Sequence, residues 1–350
     1  MNREAVQEFM FRFMEMATGA TVIGVVGVGD RTGLFREMAG QGPLTLEQIA
    51  ERTGLQERYL REGLACLAAA RVVTYDPQRE TYELPEEAAA CLADEGSPYF
   101  LGGWAQVIPA VLRVVPHVAR AFREGGGVPY SEFGEEMVAG IDRSNSPGMR
   151  VLLTRKWLPA MAELVKRLEG GIRVADIGCG SGAASITMAK AYPRSTVLGY
   201  DIDPTSIARA RAAAAAEGLD NVRFEQVGAE SIPTEPAFDF IASFDVVHDT
   251  VNPHAVVRRV RQALQPDGTF LMVEPAAGDT LEQNLHPGGA LLYGMSTLHC
   301  MTVSLAHGGE GLGTAWGPKA AETLCRDAGF TRFRRLEVDN LFNAFYEIRP

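Results

Sequence analysis

Apolar residues recur at the three- and four-residue spacing of helices over the first hundred positions, and beyond Gly171 they gather into short runs that alternate with helical stretches. In the front part, Gly40-Gln41-Gly42-Pro43, Gly54 and Asp76-Pro77 punctuate the pattern. Thr45-Leu46-Glu47-Gln48 has the form of a capping box, in which Gln48 reaches back to Thr45 and opens a short helix that Gly54 closes. Leu60, Leu64, Leu67 and Ala68 fall on one face of a second helix. The runs 72–75 and 81–84 then flank Asp76-Pro77-Gln78-Arg79 as a hairpin. Helix, turn, helix and hairpin in that order predict a winged-helix unit. Gly24, Gly27 and Gly29 follow a helical pattern and precede no clear helix, so they read as close helix packing and not as a nucleotide loop.

Residues 98–165 are helical again, with breaks expected at 125–129 and 144–148, and read as a link that forms one wall of a cleft. The β-rich runs 173–176, 195–200, 222–227, 238–244 and 269–274 alternate with helices, the pattern of a mostly parallel sheet covered on both faces. At the tail, 332–338 and 341–348 predict an antiparallel hairpin on the edge of that sheet. The expected fold class is therefore α/β: a doubly wound Rossmann-like sheet with an antiparallel C-terminal hairpin, behind a mostly helical winged-helix domain. The expected divisions are 1–100, 101–165 and 166–350.

Length and composition agree with two domains. The chain has 350 residues, 46% of them hydrophobic and 22% charged, and no run approaches the roughly 20 apolar residues of a spanning helix, so no membrane association is expected. The first sixteen residues carry acids among the apolar positions and read as a helix, not a signal peptide. Cys66, Cys91, Cys179, Cys300 and Cys325 are scattered without a paired spacing, which suits a reducing cytoplasm. A net charge of −11 disfavours non-specific attraction to nucleic acid. The second helix of the front unit mixes Arg58, Arg61 and Arg71 with Glu57 and Glu62, not the basic face of a DNA reader. A DNA-binding regulator is the reading from another class.

The first chemistry-bearing feature is Asp176-Ile177-Gly178-Cys179-Gly180-Ser181-Gly182, between a strand and the helix-forming run 183–190. Glycines there permit a sharp turn and close backbone approach to a ligand. Asp201 ends the next strand, where a carboxylate can accept from both hydroxyls of a ribose. Asp203-Pro204 has a structural reading, with Asp at the N-cap and Pro at the first helical position. A nicotinamide dehydrogenase is the competing reading of any such loop. However, the series VADIGCGSG, VLGYDIDP, FDFIASFDVVHD and ALQPDGTFLMVEP resembles the motifs of class I S-adenosylmethionine-dependent methyltransferases over roughly 171–350. That resemblance implies cofactor contacts at Asp176, Gly178, Gly180, Asp201, Ile202, Ala229, Glu230 and Ser243. It departs at Gly228, where many relatives carry an Asp, leaving Glu230 or backbone to meet the adenine. The front, including GDRTGLF at 29–35, resembles the dimerisation domain of small-molecule O-methyltransferases, which implies a homodimer.

The second feature is His248-Asp249, just beyond the strand 238–244, at the edge where open α/β sheets bind ligands. In small-molecule O-methyltransferases the matching His is the general base, and a neutral imidazole suits that work. The long segment 292–317 contains His299 and reads as a substrate wall. HD together with STLHCMTVSL resembles α-keto acid C-methyltransferases of peptide-antibiotic biosynthesis, which implies one metal ion, iron or zinc, on His248 and His299. Such an ion would chelate a 2-oxo acid and stabilise the enolate whose β-carbon takes the methyl group. Asp249 is assigned to orientation or substrate contact, since adjacent side chains diverge in an extended chain. Trp104, Tyr130 and His299 are the candidate substrate contacts, and Arg123, Arg143, Arg150 and Arg155 are unranked partners for a substrate carboxylate.

Overall fold

The computed structural model describes every residue except Pro236. The chain forms two compact units, residues 1–110 with 135–148 and residues 111–134 with 149–350, so the section 101–165 is shared between them.

The first unit opens with the helix Arg3–Thr32, capped by Asn2 and ended by Gly33 in the left-handed region. Its glycine-rich turns pack closely: a Cβ on Gly29 would lie 2.7 Å from the Phe35 ring. This helix is long and apolar enough, by length and composition, to cross a membrane, which corrects the expectation that no such stretch exists. The uncharged run 16–29 spreads its hydropathy over Val, Ala, Gly and Thr instead of an unbroken run of large side chains. The capping box forms as expected, with the Gln48 N–H donating to Thr45 Oγ1 and the Thr45 N–H donating to Gln48 Oε1. The helix Glu57–Ala69 buries Leu60, Leu64 and Leu67. The wing strands Thr74–Asp76 and Thr81–Glu83 pair antiparallel, and Leu44–Thr45 adds a third strand. One expected break is absent. The helix Glu135–Leu152 runs through Ser144-Asn145-Ser146-Pro147-Gly148, because the Ser144 hydroxyl donates to the Gly140 carbonyl and Ser146 to Asp142, folding the polar side chains back on the helix.

The second unit is built on a seven-stranded sheet: β1 (Arg173–Ile177), β2 (Thr196–Asp201), β3 (Val222–Gln226), β4 (Phe238–Phe244), β5 (Leu264–Pro275), β6 (Arg332–Arg335) and β7 (Asn343–Arg349). The order is β3-β2-β1-β4-β5-β7-β6, parallel from β3 to β5, with β7 antiparallel to both β5 and β6. Successive side chains point to opposite faces. Val174, Phe240, Ala242, Leu271 and Val273 enter one core cluster, while Ala175, Ile177, Ile241, Phe270 and Met272 enter another. The terminal hairpin has a longer connection than expected, residues 336–342, in which the Asn340 side chain accepts from the N–H groups of Phe342 and Asn343. Strand order reverses between β1 and β4, so a crevice is expected at the carboxyl ends of these two strands.

Candidate active site

The reversal point carries the glycine loop. Gly178, Gly180 and Gly182 all have positive φ, and a Cβ on Gly178 would overlap Val246. Gly180 has nothing within 4 Å of a would-be Cβ, leaving its backbone open to a ligand. The Gly180 N–H donates to Asp201 Oδ2 at 2.9 Å and the Asp203 N–H to Oδ1 at 2.8 Å, which fixes the Asp201 carboxylate at the end of β2. Asp203 caps the helix Pro204–Ala216, as its structural reading required. Ile202 is 75% exposed, an apolar side chain held in the open beside Asp201. The Val227 N–H donates to the Asp201 carbonyl, and Glu230, in the turn Ala229–Ser231, folds its carboxylate over Gly228.

Asp176 and Ser243 sit buried at the ends of β1 and β4. Asp176 Oδ2 accepts from the Ser185 hydroxyl at 2.6 Å, while Asp176 Oδ1 and Ser243 Oγ have no partner. Burial pushes the Asp176 carboxyl up to about 7, against the hydrogen bond from Ser185. Asp176 pairs with Ala242 and Ser243 with Ile177, so these two orphaned polar atoms point to opposite faces of the sheet.

Beyond β4 the chain turns back through Asp245, whose φ of +56° is unusual outside glycine. Asn343 donates to Asp245 Oδ1 at 2.6 Å and so anchors the turn. The turn aims two donors at Glu274, buried on β5: the Val247 N–H at 2.9 Å and His248 Nδ1 at 2.7 Å. Residues 247–249 form a 3-10 turn, not an extended strand, so His248 Nε2 and Asp249 Oδ1 lie 3.2 Å apart. The expectation that the two side chains diverge is corrected on that ground. The helix that follows is capped by Asn252, which frees His248 from a capping role. Burial disfavours the charged imidazole, but Asp249 and Glu274 outweigh it and hold the His248 pKa well above its ordinary value.

The segment 292–317 is largely helical, with a π turn at Ser296–Cys300 between the helices Pro287–Met295 and Met301–Ala306. Turns of this kind often mark functional sites. This one buries His299 and Cys300 together, with Cys300 Sγ 3.5 Å from His299 Nδ1. His299 Nε2 has no partner, and burial lowers the His299 pKa, so its ring is neutral. Phe133 and Tyr130 meet the His299 ring edge-on, with centroids 4.8 and 5.5 Å away. Burial, with the nearby Asp249, Asp203 and Asp201 carboxylates, pushes the Tyr130 phenol upward.

Among the described residues the group with metal-ligand spacing is His248, Asp249 and Cys300, whose donor atoms lie within 4.8 Å of one another; His299 stands beside it and not in it. That differs from the expected pair of histidines. Trp104 belongs to the first unit and begins the helix Trp104–Arg113. Arg143, one of the four arginines weighed for a substrate carboxylate, is committed to Asp30 at 2.8 Å and Glu95 at 2.6 Å. Sequence reasoning missed Asp245, Phe133 and Cys300. Only Cys300 had a signal, its adjacency to His299.

Residues 168–316 match the family model described as a methyltransferase domain. That stretch of the chain is similar to a methyltransferase domain. Residues 20–94 match the model described as an Rv2258c-like winged helix-turn-helix domain. A trans-aconitate 2-methyltransferase of Methylobacterium nodulans is 31% identical over 127 residues, which are 36% of this chain and 46% of that protein. The chain spans less than half the length of the curated relatives it matches. Solved structures extend the likeness beyond the methyltransferase domain to nearly the whole chain. Mitomycin 7-O-methyltransferase has a TM-score of 0.73 at 18% identity and covers 99% of both chains. Human N-acetylserotonin methyltransferase, solved with its methyl donor, has a TM-score of 0.70 at 21% identity over 97% of each. At these identities the likeness is one of fold.

Proposed function

We propose that the protein transfers a methyl group from S-adenosylmethionine to an oxygen of a small-molecule acceptor, with His248 as general base. The observation that carries this reading is His248 itself, buried just beyond β4, its Nδ1 fixed by Glu274 and its Nε2 3.2 Å from the partly exposed Asp249 carboxylate. Asp176 takes the amino-acid end of the cofactor, the Gly178–Gly180 turn runs along it, Asp201 holds the ribose, and Ile202 with Ala229 and Glu230 borders the adenine. Tyr130 and His299 line the acceptor. In the transfer step the acceptor O–H gives its proton to His248 Nε2 while oxygen attacks the sulfonium methyl. The C–O bond forms, the C–S bond breaks, and its electron pair stays on sulfur as S-adenosylhomocysteine leaves. Mitomycin 7-O-methyltransferase, one of the structural neighbours, supports hydroxylated natural products as the acceptor class.

The test is incubation with methyl-labelled cofactor and a panel of phenols and other hydroxylated compounds beside 2-oxo acids. A labelled methyl ether, formed with one equivalent of S-adenosylhomocysteine, is the expected product. Label found only on the β-carbon of a 2-oxo acid overturns oxygen transfer in favour of a second reading. That reading is favoured by His299 Nε2, a buried polar atom without a partner. It assigns the site to one iron or zinc ion on His248 and His299 and to C-methylation of an α-keto acid. Imidazole nitrogens are the kind of donor such an ion takes, and the ion would supply charge to stabilise an enolate.

The same proposal makes the protein a homodimer through its first unit. Phe9, Met10, Phe11, Phe13, Met14 and Met16 are all exposed on the helix Arg3–Thr32, a large apolar surface to leave in water. Sedimentation of the full chain is expected to give the mass of two copies, and Phe11→Glu with Phe13→Glu to give one. A monomeric wild type removes this part of the proposal.

A further inference from the structure

We infer that His299 selects the acceptor, its Nε2 bonding a second hydroxyl that stands next to the one being methylated. The inference rests on the oxygen-transfer reading above and adds the residue that reads the acceptor and the pattern of oxygens it requires.

His299 is 3% exposed in its π turn, and its two nitrogens have different surroundings. Nδ1 faces Cys300 Sγ at 3.5 Å, whereas Nε2 is buried with no hydrogen-bond partner. In a neutral imidazole Nε2 carries either an N–H or a lone pair, and leaving either one buried and unpaired costs its desolvation. Tyr130 and Phe133 meet the ring T-shaped and leave that nitrogen unpaired. The same ring is tied to the base. Cys300 Sγ lies within 4.8 Å of a His248 ring nitrogen and an Asp249 carboxylate oxygen, so one side chain joins the two histidines. Three hydrogen bonds fix their separation. The Gly313 N–H donates to the His248 carbonyl at 3.2 Å, the Glu310 N–H to the Val251 carbonyl at 3.1 Å, and the Ser304 hydroxyl to the Thr250 carbonyl at 3.0 Å. They bind the chain that follows the π turn to the chain that carries His248.

The chemistry of the free nitrogen selects the group it takes. A hydroxyl meets Nε2 in either tautomer, accepting from an N–H or donating to a lone pair, whereas a carbonyl or an ether serves only the first. A carboxylate is disfavoured, because burial holds His299 neutral and the Asp249 carboxylate stands nearby. The cover over this nitrogen is the turn Tyr130–Phe133, in which Phe133 is fully buried and Tyr130 is exposed. The Tyr130 ring is therefore the part of the wall that an acceptor displaces to reach Nε2.

The test changes both sides of the contact. With the full chain, kcat/KM is measured for 1,2-dihydroxybenzene and for phenol in wild type, His299→Phe and His299→Gln. Wild type is expected to favour the dihydroxy compound at least about tenfold, since phenol leaves Nε2 unpaired. His299→Phe, which keeps a ring among the aromatic neighbours, is expected to bring that ratio within about threefold of one, and His299→Gln to restore part of it. Damage to the fold or to the cofactor end lowers both acceptors together and cancels in the ratio. Binding of S-adenosylhomocysteine by each variant establishes that it has folded. A wild type without preference, or a ratio that His299→Phe leaves unchanged, overturns this role for His299 while oxygen transfer stands. Wild type that labels no oxygen of any hydroxylated acceptor overturns both.

Discussion

Replacing His248 with alanine is expected to lower kcat by about 10²- to 10⁴-fold while S-adenosylhomocysteine binding stays within about twofold of wild type. The asymmetry follows from the side chain's position: the ring touches Glu274 and Asp249 and takes no part in the Asp201–Gly180 bonding proposed to hold the cofactor. A pH profile sharpens the test. Burial opposes protonation of His248, and the Asp249 and Glu274 carboxylates reverse that, so the folded ring keeps its proton above the ordinary histidine range. A base must be neutral to work, so kcat/KM rises with pH and levels off only above the raised pKa. Glu274→Gln removes one of the two carboxylates; the limb should move to lower pH, and kcat should fall because Nδ1 is no longer held by a charged acceptor. A His248→Ala enzyme with nearly full kcat on a hydroxylated acceptor would sink the base assignment.

How much of this site the sequence disclosed depended on whether a side chain acts through its own neighbours in the chain. The glycine loop and Asp201 were legible because strand, turn and helix follow one another, and β1 and β2 are adjacent in the parallel sheet, which puts their ends side by side. The capping box of Thr45 and Gln48 was legible for the same reason. What depends on one dihedral angle was not. Asp249 was expected to point away from His248, and a single 3-10 turn brings its carboxylate to 3.2 Å. Asp245 sits in the left-handed region with its carboxylate anchored by Asn343, on the far side of β5. Cys300 reaches the His248–Asp249 pair by way of a π turn, which no apolar periodicity announces. Pro147 misled in the opposite direction, since a proline inside a pattern of serines reads as a break while Ser144 and Ser146 in fact tie their side chains into the helix.

Asp176→Asn is expected to weaken cofactor binding by about 30- to 3,000-fold, the range for truncating one partner of a buried hydrogen-bonded charge pair. The argument starts from the unliganded state. Burial pushes the Asp176 carboxyl up to about 7, and its Oδ1 has no hydrogen-bond partner. The ammonium of the cofactor's methionine end would satisfy that oxygen and favours the ionised form. Cofactor affinity should therefore rise with pH through about 7, and calorimetry between pH 6 and 8 should show it. In the Asn variant this dependence should vanish. Stability moves the other way. The folded-state pKa of about 7 lies above the ordinary value, so between the two the folded chain holds a proton that the unfolded chain has lost, and stability falls as pH rises through this window. The penalty is complete above pH 7. The cofactor-free Asn variant should then melt higher than wild type at pH 8 while binding far less cofactor, the trade expected of a group kept for a ligand at the fold's expense. A variant that loses stability and keeps its affinity would make Asp176 a structural partner of Ser185 and move the ammonium elsewhere.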